Sequence, residues 1–161
     1  MNVMKKFGLI LMCMMMVVLS ACAGGTTAKE LNMTELAEKL KTSGAFEQNI
    51  SSTMAQVKAE KAVKMYGADA ADVQDAVYYT CVGATAAEIL IFQCPDEAAA
   101  KRVYALADTH LTDLQNTYQS YAPAEAQKVA NAVKQQYGKY VIVVVSSDAD
   151  IVKSVIAEET K

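Results

Sequence analysis

The side chains best suited to chemistry in this chain are its one histidine and the acids near it. His110 is the only histidine among 161 residues, with Asp108 two positions before it and Asp113 three positions after it. A Ser-His-Asp arrangement would need one of these acids to orient His110, but a helical ion pair with Asp113 is the simpler interpretation. A single imidazole also excludes sites with several histidine ligands. We predict no catalytic residues and no metal site. The alternative is an enzyme or accessory factor that uses His110 with nearby acids.

The cysteines are the other reactive side chains. If residues 83–86 (GATA) form a hairpin loop, Cys81 lies opposite Glu88, and Cys94 follows six residues farther along the same strand. That places the two cysteines about 20 Å apart, whereas a disulfide needs Cα atoms within about 7 Å. The chain also lacks the CxxC spacing of thiol redox sites. We interpret Cys81 and Cys94 as buried, small apolar residues.

A further cysteine, Cys22, stands where an apolar run ends. Two lysines precede a thirteen-residue apolar segment, residues 7–19, which is typical of a secretory signal. A helix of that length spans only about 20 Å, less than the ~30 Å hydrocarbon core. Residues 19–22 (LSAC) resemble the lipobox of bacterial lipoproteins, which implies removal of residues 1–21 and lipid attachment to Cys22. The alternatives are an uncleaved anchor and an ordinary cleavage site with a chance cysteine.

The mature chain would be acidic. Without the signal peptide, 13 Lys and Arg face 18 Asp and Glu, which argues against nucleic-acid partners and against electrostatic attraction to anionic lipid. Residues 22–31 are rich in Gly and Thr and predict a flexible tether from the lipidated cysteine. Residues 32–161 are long enough for a single globular domain. We therefore expect a lipid-anchored protein on the extracytoplasmic face of the cell membrane.

The patterning of residues 32–161 predicts an α+β fold. Capping residues and helical periodicity predict helices over 32–44, 53–66, 95–121 and 148–159, with Pro95 as the first residue of the long central helix. Apolar runs predict strands over 76–82, 87–93 and 140–145. We expect a small antiparallel sheet of about four strands, in two hairpins, packed against the helices. Because two strands are apolar on both sides, we expect helices on one face and something else, such as a partner, on the other. The residues alone leave 130–136 open between strand and helix.

Several motifs occur in an order that resembles a known family. They are the lipobox, Tyr-Gly at 66–67, GATAAEILIF at 83–92, Tyr-x-Pro-x-Glu at 121–125 and GKYVIVVVS at 138–146. They look like a family of Gram-positive lipoproteins known only as a domain of unknown function. The resemblance implies a membrane-anchored, extracytoplasmic domain and favours a strand over 130–136. It supplies no catalytic residues.

Tyrosine is the remaining unusual feature, with eight tyrosines and no tryptophan. Tyr78 and Tyr79 must face opposite sides of a strand, so we expect one in the core and the other outward. Amphipathic aromatic side chains suit a binding surface for a protein or saccharide, although they also fill a core that is poor in Phe. The candidate binding-surface residues are Tyr79, Tyr104, Tyr118, Tyr121 and Tyr140. We expect a non-enzymatic binding or interaction module at the cell envelope, with a protein or small-ligand partner and no cofactor.

Overall fold

The computed structural model describes residues 28–161, in which helices cover both faces of an antiparallel sheet. The helices of these residues are α1 Met33–Thr42, α2 Gln48–Ser51, α3 Ala59–Tyr66, α4 Glu97–Gln119, α5 Pro123–Ala130 and α6 Ala149–Glu159. The strands are β1 Ala55–Val57, β2 Asp75–Thr80, β3 Glu88–Gln93, β4 Val133–Tyr137 and β5 Tyr140–Val145. The predicted α+β class is confirmed. No helix within residues 28–161 is long and apolar enough to cross a membrane.

The predicted signal peptide, the lipid on Cys22 and residues 22–27 of the predicted tether lie outside the described residues. The other four residues of that tether, 28–31, contact the turn between β4 and β5.

Helix starts follow the capping residues in the sequence. Asn32 caps α1 by accepting a hydrogen bond from the backbone N–H of Glu35 at 3.1 Å, and Asp148 caps α6 in the same way. The long helix α4 starts two residues later than predicted, at Glu97 rather than Pro95. Its N-cap is Asp96, whose carboxylate accepts from the N–H of Ala99 at 2.7 Å, so Pro95 precedes the cap and is not the first helical residue.

The sheet has the strand order β1-β2-β3-β5-β4 and every neighbouring pair is antiparallel. In the β2–β3 hairpin Thr80 pairs with Glu88, so the predicted pairing of Cys81 with Glu88 is wrong by one residue. The loop is longer than GATA because β2 ends at Thr80 and β3 begins at Glu88, so that Cys81, Val82 and Ala87 also belong to the loop. The Glu125 carboxylate accepts the N–H of Ala86 at 2.9 Å and the hydroxyl of Thr85 at 3.0 Å.

The segment predicted as a helix over 53–66 contains the fifth strand. Residues 55–57 pair with the edge of β2, with Gln56 opposite Tyr79, and the helix begins only at Ala59. Pairing with an available strand edge here outweighs weak helical patterning. The sheet therefore has five strands rather than about four. The strand that the family resemblance favoured over 130–136 is confirmed as β4, shifted to 133–137.

Both faces of the sheet carry a hydrophobic core. Ile89 and Ile91 of β3 pack in the core that α1 and α6 cover, whereas Leu90 and Phe92 pack in the core that α3 and α4 cover. Successive side chains of a strand point to opposite faces. These strands are apolar on both sides because helices cover both faces of the sheet. The expectation that one face is left for a partner is wrong.

The two ends of the sheet differ. We call the end at Thr80, Glu88 and Val145 the loop end, because the β2–β3 loop lies there, and the opposite end the turn end, because it carries the β4–β5 turn. At about 1.5 Å per residue, α4 is about 35 Å long, whereas a six-residue strand spans about 20 Å. A third apolar cluster accompanies the loop end, made by Ala86, Tyr118, Ala126, Val129 and Val145.

Candidate functional site

His110 lies on α4 and contacts a buried glutamate of the sheet. Its Nε2 is 2.9 Å from Oε1 of Glu88, and the side chains are 11% and 4% exposed respectively. The acids considered from the sequence do not contact it: Asp108 pairs with Lys134, and Asp113 is exposed. The partner of His110 is 22 positions away in the chain, so helical spacing could not identify it.

Glu88 is buried because of its place in β3. It is the first residue of that strand and shares a face with Leu90, which belongs to the core beneath α4. A buried carboxylate needs hydrogen-bond donors to replace water. The hydroxyls of Tyr66 and Tyr78 supply two, each 3.3 Å from one of the carboxylate oxygens, and His110 supplies the third contact. Among residues 28–161, no buried side-chain nitrogen or oxygen lacks a hydrogen-bond partner.

The two tyrosines remain donors over the ordinary pH range. Burial raises the pKa of Tyr66 well above its usual value, and the negative charge of Glu88 raises it further. Burial also raises the pKa of Tyr78, and the negative charge of Glu88 raises it further. A phenolate beside a buried carboxylate would place two like charges in a poorly solvated site. Glu88 therefore keeps both hydroxyl donors.

Aromatic packing fixes the imidazole in this cluster. The Tyr66 ring stacks on the His110 ring with centroids 4.1 Å apart, and the Phe92 ring meets Tyr66 edge to face at 5.3 Å. Helix α3 ends directly after Tyr66 because Gly67 adopts a left-handed conformation with φ of +62°. The Tyr-Gly motif thus ends a helix at the residue that covers the histidine. We call Tyr66, Tyr78, Glu88 and His110 the Glu88 cluster.

The Glu88 cluster can hold a proton in a defined place. In the neutral imidazole, Nε2–H donates to Glu88 and Nδ1 is left as the acceptor. An imidazole oriented by a carboxylate in this way has the arrangement that a general base uses. The cluster is enclosed, however, since His110 and Glu88 are almost fully buried. A groove of about 590 Å³ lies on the other side of the sheet, between α1 and α6, and is lined in part by Asp148 and Val155. The main physical effect of the cluster is to join α3, α4 and the sheet.

The five candidate tyrosines are divided among three clusters. Tyr79 and Tyr140 lie in the core beneath α1 and α6, Tyr104 packs beside the core beneath α3 and α4, and Tyr118 belongs to the loop-end cluster. Tyr121 is 58% exposed, and its ring lies 5.3 Å from that of Tyr118. Of the five, Tyr118 and Tyr121 are the two whose rings contact each other, so the five do not form one surface.

Sequence reasoning missed most of the Glu88 cluster. Tyr78 and Tyr79 are both buried, so the expectation that one of them faces outward is wrong, because helices cover both faces of the sheet. A usable signal was present in AEILIFQ, where Glu88 is the one charged residue and precedes the apolar run Ile89–Phe92. A charge at such a position indicates a paired, buried group.

The two described cysteines are free and lie on opposite sides of the sheet. Cys94 is buried beneath α4, as predicted. Cys81 is only partly buried, and its Sγ donates to the carbonyl oxygen of Ile50 at 3.4 Å. The one-residue difference in register does not bring the two cysteines together. Cys81 follows β2 at the loop end of the sheet, whereas Cys94 follows β3 at the turn end.

We expect alkylation to separate the two cysteines. Burial raises the pKa of the Cys94 thiol to about 11, so it carries little thiolate at pH 8, and the reagent cannot reach it in the folded state. Iodoacetamide should modify Cys81 at least ~10 times faster than Cys94, because the thiolate is the reactive form. Peptide mass spectrometry of the folded chain measures both rates, and the urea-unfolded chain is the control, in which the rates converge. Equal rates in the folded chain would contradict the burial of Cys94.

Comparison with known proteins identifies one domain. Residues 47–146 match the family described as a domain of unknown function, DUF4358, and this range includes the whole Glu88 cluster. No curated protein and no solved structure matches the chain. Within residues 28–161, no group of three or more His, Cys, Asp or Glu residues is placed to hold a metal ion.

Proposed function

The chain belongs to the DUF4358 family of domains of unknown function, and we propose that it is a lipid-anchored, non-enzymatic binding module on the extracytoplasmic face of the cell membrane. The observation that carries the proposal is the sequence LSAC at 19–22, which resembles the lipobox of the Gram-positive lipoproteins. Two acyl chains on Cys22 are enough for stable anchoring, whereas one chain gives only marginal binding. The acidic mature chain needs such an anchor, because its charge does not attract it to anionic lipid.

Binding rather than catalysis is supported by where the polar and apolar groups lie. The Glu88 carboxylate is already occupied by three donors of the protein itself. At the surface, Val82 is 98% exposed and Tyr121 is 58% exposed. The loop that carries Val82 is held in place by Glu125, which accepts from Ala86 N–H. Because this loop is already held in place, a protein partner that contacted Val82 would not have to order it first.

One observation favours a second candidate, an envelope enzyme or accessory factor. The imidazole of His110 lies 2.9 Å from a buried carboxylate, which is the geometry of an oriented base. His110→Gln tests it, because glutamine keeps an N–H donor toward Glu88 but has no basic nitrogen. Loss of a cellular phenotype at an unchanged melting temperature would support the second candidate. A retained phenotype would support the binding module.

Replacing the anchor cysteine tests the proposed function directly. Cys22→Ser removes the thiol on which the diacylglyceryl group would be placed, so the chain should stay unprocessed or leave the membrane fraction. Fractionation of cells that express the full chain measures this, and the mass of the purified wild-type protein reports the lipid. Cys81→Ser is the matched control and should stay in the membrane. Normal processing and membrane retention of Cys22→Ser would contradict the proposal.

A further inference from the structure

Residues 28–31 form a strap across the β4–β5 turn. The backbone N–H of Lys29 donates to the Tyr137 hydroxyl at 2.9 Å, and the N–H of Leu31 donates to the Tyr140 hydroxyl at 3.3 Å. The Leu31 side chain also packs against the core beneath α1 and α6. The chain entering the domain is therefore held at the turn end of the sheet before α1 begins.

Charge and close packing add to these contacts. The Glu30 carboxylate lies 2.8 Å from Nζ of Lys139 and accepts the Tyr140 hydroxyl, and these two hydrogen bonds lower the pKa of Glu30. At the tip of the turn, Gly138 has a φ of +53°, and a Cβ added there would be 2.6 Å from the Cβ of Ala28. Only a glycine lets the strap pass this closely over the turn. Every residue of the strap thus contacts the turn end.

The length of chain between the lipid site and the strap limits where the domain can lie. Five residues lie between Cys22 and Ala28, and the six Cα–Cα steps from one to the other span at most about 22 Å in any conformation. The strands carry the loop end about 20 Å beyond the turn end, and a domain of this size has a radius of gyration of about 14 Å. A lipid on Cys22 keeps the turn end within reach of the bilayer but not the loop end, unless the chain runs fully extended along the domain.

We propose that the turn end of the sheet is the membrane-facing surface of this protein, and that the loop end points away from the bilayer. This inference rests on the proposed lipid anchor at Cys22. Because the strap is held at the turn end, the chain leaves the domain at a fixed point. A lipid on Cys22 therefore gives the domain a preferred orientation relative to the bilayer. The exposed Val82 lies in the β2–β3 loop, and the exposed Tyr121 contacts Tyr118 of the loop-end cluster. Both therefore point away from the lipid and toward the envelope.

Fluorescence energy transfer from the protein to lipid headgroups tests this orientation. The lipidated full-length protein, purified from membranes, is placed in phosphatidylcholine vesicles with acceptor-labelled headgroups, and a fluorescent amino acid replaces Ala98 or Val82. Both positions are exposed. Residue 98 lies at the turn end, where the neighbouring Glu97 carbonyl accepts from the Gln136 side chain. We expect residue 98 to lie closer to the lipid by about 20 Å, the length of the strands.

A variant of the strap and the mass of the protein show whether a negative result concerns the orientation or the lipid anchor. Glu30→Ala removes the acidic partner in the strap and should reduce the difference between the two positions. Glu35→Ala, an exposed glutamate of α1 that pairs with Lys39, is the matched control and should leave the difference unchanged. Equal distances at positions 82 and 98, in a protein whose mass shows lipid on Cys22, would overturn the orientation alone. A mass without lipid would overturn the proposed function and the orientation with it.

Discussion

Replacing Glu88 by alanine is expected to lower the free energy of unfolding by about 3 kcal/mol or more, because several buried hydrogen bonds share this one acceptor. The carboxylate accepts from the hydroxyls of Tyr66 and Tyr78 and contacts His110. Its loss leaves these groups enclosed without an acceptor, and an unpaired buried polar group costs about 1–3 kcal/mol. The midpoint of urea unfolding, at an unchanged slope, measures the loss.

Matched variants show whether the loss comes from the cluster. Glu60→Ala changes an exposed glutamate of α3 and should stay within about 0.5 kcal/mol of wild type. Glu88→Gln keeps the size and one acceptor oxygen but removes the charge, so it should fall between wild type and Glu88→Ala. A Glu88→Ala variant as stable as Glu60→Ala would show that the buried hydrogen bonds contribute little.

A double-mutant cycle isolates the contact between Glu88 and His110. Its members are Glu88→Ala, His110→Ala and the double variant, and groups that share a hydrogen bond give coupling energies of about 0.5–3 kcal/mol. Once Glu88 is absent, removing the imidazole should cost less, because its buried N–H no longer has a partner to lose. Additive effects would mean that the 2.9 Å contact does not stabilise the fold.

Local signals in the sequence were sufficient for most of the elements. Asn32 and Asp148 marked helix starts that the structure confirms, and the run YVIVVV at 140–145 is strand β5. These features depend on a few neighbouring residues, so one sequence contains them. Strand β1 could not be found in this way, because residues 55–57 become a strand only through the free edge of β2.

The Glu88 cluster was hidden for a related reason. Its members come from α3, β2, β3 and α4, and the register of β2 and β3 decides which side chains share a face. The predicted loop was too short because no local signal shows that the strands end at Thr80 and Glu88. The contact that holds this loop, between Ala86 and Glu125, joins residues 39 positions apart. A shift of one residue reverses the faces of a whole strand. The partner of His110 was therefore assigned to its own helix rather than to the sheet.

The mistaken expectation that one face of the sheet is left for a partner has a similar cause. A strand that is apolar on both sides shows that both faces are covered, but it does not show by what. Here the chain itself supplies both layers, with α1 and α6 on one side and α3 and α4 on the other. Any partner would therefore bind the outside of the helices, or the ends or edges of the sheet. That conclusion can be tested on neighbouring residues of one strand.

Leu90→Ala and Ile91→Ala are expected to destabilise the isolated protein by similar amounts, about 2–5 kcal/mol each. These neighbours in β3 point to opposite faces, and both are fully buried, so each truncation loses apolar contacts and leaves a cavity. Val82→Ala, at a residue that is 98% exposed, is the control and should change stability little. Urea unfolding of the three variants measures the difference. If Leu90→Ala or Ile91→Ala matched the control, that face would be open in the free protein, and a partner rather than a helix would have to complete it.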